Sequence, residues 1–186
     1  LDKHGIFTFA QTAKAAYDLM IDAVTKAEDH VNANRKFTSF HSVKLPHNIA
    51  DVSHVLPIIR GAVAQKLPDG EYARFVCEHR TNDQIRDFVD AAELADFATR
   101  GMPTPDLSIR IKHKPLILPA PNADGLAAFH ADVAKAVQDY VEDYTAYFTE
   151  HDAKDEVERT MLDPMPRLAL VPGFGIVGLG RTQKEA

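Results

Sequence analysis

The sequence predicts an α/β protein, because segments with helical periodicity alternate with short apolar segments typical of strands. The longest helical segment follows Asp124, and its apolar residues recur every three or four positions as far as Phe148. A typical strand segment is Leu168-Ala169-Leu170-Val171, which is short and wholly apolar. This alternation predicts a central sheet that packs against helices.

The first helix is predicted to begin after Thr12, whose hydroxyl can cap the first helical turn, and to end near Ala33. Its apolar residues recur at helical spacing, which predicts one buried face. They are Ala13, Ala16, Tyr17, Met20, Ile21, Val24, Ala27 and Val31. The connection that follows has strand character around residues 37–45.

The next elements are less regular. A helix is predicted from about Asp51 to Gln65, with Pro57 dividing or kinking it. The apolar residues from Ala73 to Cys77 predict a strand, and the spacing from Asn82 to Thr99 predicts one helix or two short ones.

Glycine and proline at 101–105 end that helical pattern. Residues 107–111 alternate between apolar and polar side chains, which predicts a half-exposed strand, and 116–118 predict another. Asp124 is a candidate N-cap for the longest helix. Near the end of the chain, residues 176–179 are again strand-like.

A short pattern occurs near the start of the chain and again at its end. Residues 4–16 and 174–186 align without a gap and share a glycine, an isoleucine, a threonine, a lysine and the final alanine. Repetition of this kind indicates a duplicated structural unit. The residue that opens the pattern differs, since it is His4 in the first copy and Phe174 in the second.

The string Lys3-His4-Gly5-Ile6-Phe7-Thr8-Phe9, followed by the Thr-capped helix, resembles the end of the catalytic core in class II aldolases of the aldolase/adducin superfamily. Segments 104–112 and 163–175 resemble the middle region of bifunctional aldolase/short-chain dehydrogenase proteins of rhamnose catabolism. The resemblance covers most of the chain and is densest in residues 1–33 and 100–186.

The resemblance has consequences for architecture. Residues 1–36 would be the C-terminal strand and helix of a metal-dependent aldolase domain, and residues 37–186 a second, degenerate aldolase-like unit. The expected fold is a layered α/β/α sandwich with a mixed or antiparallel sheet. We also expect the chain to be a piece of a longer polypeptide.

The resemblance also implies a metal. Class II aldolases use a divalent ion, usually zinc, as a Lewis acid. By the match to the family's His-Gly motif, His4 would be the third metal ligand in the intact parent protein. The His-x-His pair and the glutamate that complete such a site would lie before Leu1, so we expect the chain alone to be inactive.

The second copy offers another candidate metal site at Cys77 and His79. Two residues apart on a strand, their side chains face the same way, and both types bind zinc. The third ligand would be Phe174, which cannot coordinate a metal. The alternative interpretation is that Cys77 is a small buried hydrophobic residue and His79 an exposed polar one.

Gly173-Phe174-Gly175-Ile176-Val177-Gly178 matches the dinucleotide-binding pattern G-x-G-x-x-G. A Rossmann loop would place its third glycine inside a helix, whereas residues 176–179 are strand-like here. We therefore interpret the glycines as a close approach between strands and predict no cofactor at this loop. NAD is expected only through a dehydrogenase domain outside the chain.

Other residues are less specific. Arg60, Arg80, Arg110 and Arg167 could bind a sugar phosphate, with surface ion pairs as the alternative. The remaining histidines, from His30 to His151, have no metal-binding spacing and are expected to face solvent.

Composition narrows the possible partners. A net charge of −6 without a basic cluster does not support nucleic-acid binding. A single cysteine suits a reducing cytoplasm, and no apolar segment is long enough to span a bilayer.

Two functions remain open. The chain is part of an aldolase that cleaves a ketose 1-phosphate into dihydroxyacetone phosphate and an aldehyde, or it is a non-catalytic scaffold or oligomerisation module. We expect a sugar-phosphate substrate for the parent and a homo-oligomer. A stand-alone nicotinamide dehydrogenase is a third hypothesis, and it would require residues 173–178 to form a dinucleotide-binding loop rather than a hairpin.

Overall fold

The computed structural model describes residues 5–34, 41–154, 156–157 and 159–186. The chain divides into two compact units. The described part of the first comprises residues 5–34 and Pro103–Pro105, and that of the second comprises the remaining residues. His4 and residues 37–40 of the predicted strand lie outside the described residues. Among the helices described, none is both long and apolar enough to cross a membrane.

The first unit contains helix α1, Ala13–Asn34. Thr12 caps it as expected, since its Oγ1 accepts a hydrogen bond from the Ala15 N–H over 3.2 Å. The prediction of a buried apolar face is wrong, because no residue of α1 is buried. Helical spacing predicts which face is apolar, but burial also requires a surface that covers it.

The second unit alternates helices and strands. Its helices are α2 Val52–Ala62, α3 Asp83–Val89, α4 Leu94–Ala98, α5 Pro105–Ile111, whose first residue is assigned to the first unit, and α6 Leu126–Asp152. Its strands are β1 Gln65–Lys66, β2 Tyr72–Ala73, β3 Val76–Arg80, β4 Leu116–Ile117, β5 Leu168–Val171 and β6 Gly175–Gly180. The α/β class is therefore confirmed.

The main sheet has four strands in the order β3-β6-β5-β4. Strand β6 pairs antiparallel with β3 and β5, whereas β4 and β5 are parallel, so the sheet is mixed. Strands β5 and β6 form a hairpin across Gly173, whose φ of +79° suits glycine. The interpretation of these glycines as a close approach between strands is confirmed at Gly175, where an added Cβ would lie 2.5 Å from the Arg80 carbonyl oxygen on β3, whereas Gly173 lies against the Ile49 side chain.

Alternate residues of the strands belong to two buried clusters. The larger contains Ala169, Val177 and side chains of α2 and α6. The smaller contains Leu170 and side chains of α3 and α4, and the half-buried Ile176 packs against it. Successive strand residues point to opposite faces, so the two clusters lie on opposite sides of the sheet. Each cluster includes helix side chains, and helices therefore cover both faces.

Residues 107–111 form helix α5, so the prediction of a strand there is wrong. Five alternating residues are too few to separate a strand from a single helical turn. The stronger signals are at the ends. Pro105 stands at the first helical position, Asp106 lies in the first turn and Arg110 in the last, where each suits the helix dipole.

Three other boundaries differ from prediction. Helix α2 continues through Pro57, whose missing N–H would have bonded the carbonyl of the exposed Ser53 near the helix start. Gly125, not Asp124, is the N-cap of α6. The single strand expected at 73–77 is divided between β2 and β3, which places Cys77 inside a strand rather than at its end.

Candidate functional site

The predicted ligands Cys77 and His79 lie on strand β3, next to β6. Cys77 pairs with Leu179 and His79 with Val177. Both partners are fully buried within the larger cluster. Cross-strand neighbours share a face, so Cys77 and His79 point towards the side of the sheet that α2 and α6 cover.

His79 contacts the residue that takes the place of the third ligand. The rings of His79 and Phe174 have centroids 4.1 Å apart and planes tilted by 34°. The His79 Nε2 atom also lies 3.1 Å from the Phe174 carbonyl oxygen, so this nitrogen donates when it carries a proton. The structure thus places the candidate ligand His79 in contact with Phe174, the position expected for a third ligand.

Gly175 permits this contact. Its φ is +138°, and a Cβ at this position would lie 2.5 Å from the Arg80 carbonyl oxygen and 3.2 Å from His79 Nε2. Any larger residue would therefore push apart the strands that hold His79 against Phe174.

Asp90 holds the turn that carries Phe174. Its Oδ1 accepts a hydrogen bond of 2.6 Å from the Gly173 N–H, and its carboxylate pairs with Arg86 at 2.9 Å. Sequence reasoning missed Asp90, because the partners are 83 residues apart and no local pattern marks them.

Cys77 lies at the wall of a cavity between α2 and the start of β3. The cavity has a volume of about 450 Å³ and is lined by Leu56, Pro57, Arg60, Gly61, Arg74, Val76 and Cys77. Burial raises the pKa of the Cys77 thiol, and the nearby Arg60 charge opposes this only in part. The thiol is therefore protonated at neutral pH and a poor nucleophile.

These residues do not fit a catalytic zinc site. Such a site needs three protein donors and an open position. Here a phenyl ring packs on one of two candidate donors. Across the part of the chain that the structure describes, no three His, Cys, Asp or Glu side chains converge on a metal position. The assignment of Cys77 and His79 as metal ligands stays a prediction.

The candidate arginines have different environments. Arg80 lies 3.7 Å from Glu78, and Arg167 pairs with Asp163 while its guanidinium stacks 4.7 Å from the Phe75 ring centroid. Arg60 donates from Nε to the Phe75 carbonyl over 2.9 Å.

Asp163 belongs to a polar cluster that sequence reasoning missed. Lys112 is 4% exposed, although lysine is seldom buried, and its Nζ donates to the Asp163 carbonyl over 2.5 Å. The same Nζ lies 4.4 Å from the Tyr144 ring centroid. Burial lowers the pKa of Lys112, and Arg167 lowers it further. An unusual φ of +65° at Lys112 accompanies this position.

His113 is also not the solvent-facing residue that was expected. Its Nε2 lies 2.8 Å from Asp143, and its ring stacks on Tyr147 with centroids 4.6 Å apart. Lys114 pairs with the same carboxylate at 2.9 Å. A histidine with two local partners of this kind has a structural explanation without a ligand.

Comparison with known proteins agrees with part of this description. The family model described as aldolase class II, second domain, matches residues 50–186. The chain is 23% identical over 189 aligned residues to a Bacillus subtilis (strain 168) protein named uncharacterized oxidoreductase YuxG. The alignment covers 98% of the chain but 26% of that relative, so the chain spans about a quarter of its length. No solved structure matches the chain significantly.

Proposed function

This chain belongs to the family of class II aldolase second domains, and on that premise we propose that it forms part of a metal-dependent class II aldolase. The proposed reaction is retro-aldol cleavage of a ketose 1-phosphate, such as rhamnulose 1-phosphate, into dihydroxyacetone phosphate and an aldehyde. We further propose that the chain alone has no such activity.

The contact between Phe174 and His79 is the observation that supports the proposed inactivity of the chain, whereas the family match supports the aldolase part. A phenyl ring stands where the pattern of the first copy has His4, and it packs on a candidate donor of the second copy. A site with Cys77 and His79 alone would bind zinc weakly, because two donors leave half of a tetrahedral shell to water. The second copy therefore supports the fold rather than the chemistry.

In the proposed parent, His4 is the third ligand of a divalent ion, with zinc the first choice. When bound, such an ion polarises the oxygen of the carbonyl donor. The remaining ligands would come from chain that precedes Leu1. No step of the reaction is assigned to the described residues.

A fusion to a short-chain dehydrogenase is part of the same proposal. The name of the Bacillus relative, an oxidoreductase about four times as long as the matched region, supports it. NAD would bind in that additional domain. The layered α/β/α arrangement is proposed for this chain on the basis of the helices on both sheet faces.

The alternative is a scaffold or oligomerisation module. Several apolar side chains of α1 are open to solvent, including Tyr17 at 65% and Val31 at 60% exposure, as an interface to another domain or copy would require. This role does not exclude the first, since a second domain can hold an aldolase together.

Zinc loading and turnover test the proposal together. The purified chain is loaded with zinc, desalted and analysed for metal, and it is assayed with rhamnulose 1-phosphate. We expect no retained metal and no dihydroxyacetone phosphate. Turnover by the chain that is lost in His4→Ala would refute its inactivity. Stoichiometric metal lost in a Cys77→Ala/His79→Ala double variant would move the site to β3.

A longer polypeptide that includes sequence before Leu1 tests the proposed aldolase activity of the parent protein. We expect it to cleave the ketose phosphate and to lose activity in His4→Ala but not in His130→Ala, an exposed histidine on α6. An extended protein that folds and binds metal but forms no aldehyde would favour the scaffold.

A further inference from the structure

We propose that the cavity beside Cys77 binds a small phosphate monoester through Arg60 and Arg74. The cavity opens between α2 and the segment from Arg74 to Cys77, and its volume of about 450 Å³ lies within the roughly 300–1,000 Å³ usual for small-molecule sites. The proposal does not depend on the aldolase reaction, because it concerns a separate binding event.

The charge of the cavity indicates an anionic ligand. Both arginines line it, and neither guanidinium has a carboxylate of the described residues within ion-pair distance. Both side chains are exposed, and two arginines without an ion-pair partner give the mouth of the cavity a positive potential that attracts anions. A phosphate monoester, which carries nearly two negative charges at neutral pH, matches it better than a carboxylate does.

Arg60 is held in place before any ligand arrives, whereas Arg74 is exposed and lies over the exposed ring of Tyr72. The Arg60 Nε–H bonds the Phe75 carbonyl, which leaves the terminal amino groups of the guanidinium for another partner. Arg74 lies over the ring of Tyr72, 5.5 Å from its centroid. Preorganised donors lose less conformational freedom on binding, which favours affinity.

The rest of the lining is suited to the carbon part of the ligand. Leu56, Pro57 and Val76 form apolar walls, and the Cys77 thiol is neutral because burial raises its pKa. Inorganic phosphate would leave these walls uncovered. A short organic phosphate would bury apolar surface against them.

A second basic cavity is a weaker candidate. It has a volume of about 640 Å³, and Arg110, Arg167 and Lys184 line it together with Glu185. Arg167 already pairs with Asp163, and Glu185 brings a further negative charge. Its positive charge is therefore largely compensated, unlike that of the Arg60–Arg74 cavity.

Cys77 provides a direct measurement of occupancy, because it is the single cysteine of the chain and lines the cavity. The rate of Cys77 alkylation by iodoacetamide is measured by mass spectrometry at constant pH and ionic strength. We expect glycerol 3-phosphate to slow it saturably and glycerol to leave it unchanged.

Variants show whether the arginines are responsible. Arg74→Gln is expected to weaken glycerol 3-phosphate binding by about tenfold or more, the effect of losing a charge-assisted hydrogen bond. Arg100→Gln, which removes an exposed arginine paired with Asp96, is the matched control and should bind normally. Arg74→Lys separates loss of charge from loss of the guanidinium, and circular dichroism reports whether each variant is folded.

Four results would overturn the proposal. Glycerol 3-phosphate fails to protect Cys77, or it protects equally in folded Arg74→Gln, or glycerate protects as well as the phosphate ester. The last result would show that any small oxyanion suffices. Protection by inorganic phosphate at the same concentration would likewise contradict the role of the apolar walls. If the extended protein shows no aldolase activity, the Cys77 protection measurements still test this proposal, because they report binding and not turnover.

Discussion

The ring of His79 packs against the ring of Phe174, with centroids 4.1 Å apart, and its Nε2 lies 3.1 Å from the Phe174 carbonyl oxygen. Strands β3 and β6 bring these residues together from positions 95 apart in the chain. The contact therefore joins a candidate metal ligand, His79, to Phe174, the residue that stands where the first copy of the pattern has His4.

Replacing Phe174 by a residue that can bind zinc tests whether the missing third ligand is what prevents metal binding at Cys77 and His79. We expect Phe174→His to retain more zinc after desalting than the unchanged chain, since it adds a third donor beside His79. Metal content by mass spectrometry measures this. The gain should vanish when Cys77→Ala is added, whereas Phe174→Asp supplies a different donor at the same place. Equal metal in Phe174→His and the unchanged chain would show that these positions cannot share an ion.

Gly175→Ala should destabilise the hairpin. A Cβ at Gly175 would approach the Arg80 carbonyl oxygen to 2.5 Å, and φ is +138°. We expect a loss of about 2 kcal/mol or more in the free energy of unfolding, measured with urea. Gly70→Ala is the control, since its φ is also positive but nothing lies within 4 Å of the added Cβ. Equal losses in both would mean that the strand contact adds nothing.

Asp90→Ala should loosen the turn before Phe174. It leaves the Gly173 N–H without its hydrogen bond and Arg86 without its ion pair, which we expect to cost about 1–3 kcal/mol. Asp87→Ala is the control, since Asp87 is exposed on α3, the helix that Asp90 follows, and should change the free energy of unfolding by less than about 0.5 kcal/mol. Hydrogen exchange at Gly173 would locate the effect, and an unchanged exchange rate would argue against it.

Asp163 should make stability depend on pH. Burial alone would raise the pKa of its carboxyl, but hydrogen bonds from Arg167 and the Met165 N–H hold it below the ordinary value. The unfolded chain therefore binds more protons as the solution becomes acidic. The stabilisation is complete above the unfolded pKa of about 3.9 and is lost as pH falls through the lower folded pKa.

Urea unfolding of Asp163→Asn at several pH values checks this. We expect the variant to be less stable than the unchanged chain near neutral pH and to lose less stability on acidification. Asp96→Asn, which removes an exposed ion pair with Arg100, should keep the full pH dependence. A parallel pH profile for Asp163→Asn and the unchanged chain would contradict the assignment.

The elements that sequence predicted well are those with strong local signals. Helix α6 follows from apolar spacing sustained over about six turns, from Leu126 to Phe148, and the β5–β6 hairpin follows from glycines between two apolar segments. Helix α5 was missed because five alternating residues fit a strand and a helical turn equally. Lys112 was missed because burial of a lysine depends on partners far along the chain.

The division of the chain at residue 36 remains a prediction, as do the roles of His4, Cys77 and His79. The resemblance supplied the aldolase family, and the match over residues 50–186 confirms it at that level. It did not predict the cavity that Arg60 and Arg74 line, because these residues are distant along the chain and no local pattern links them.

The sequence by itself determined the α/β class, the helix that Thr12 caps and the substitution of Phe174 for a histidine, because spacing, capping and residue type are local properties. Only the tertiary structure decided that His79 meets Phe174, that Asp90 binds the turn before it, and that Arg60 and Arg74 share a cavity. These contacts join residues distant along the chain, and they depend on strand register and helix packing, which no short stretch of sequence encodes.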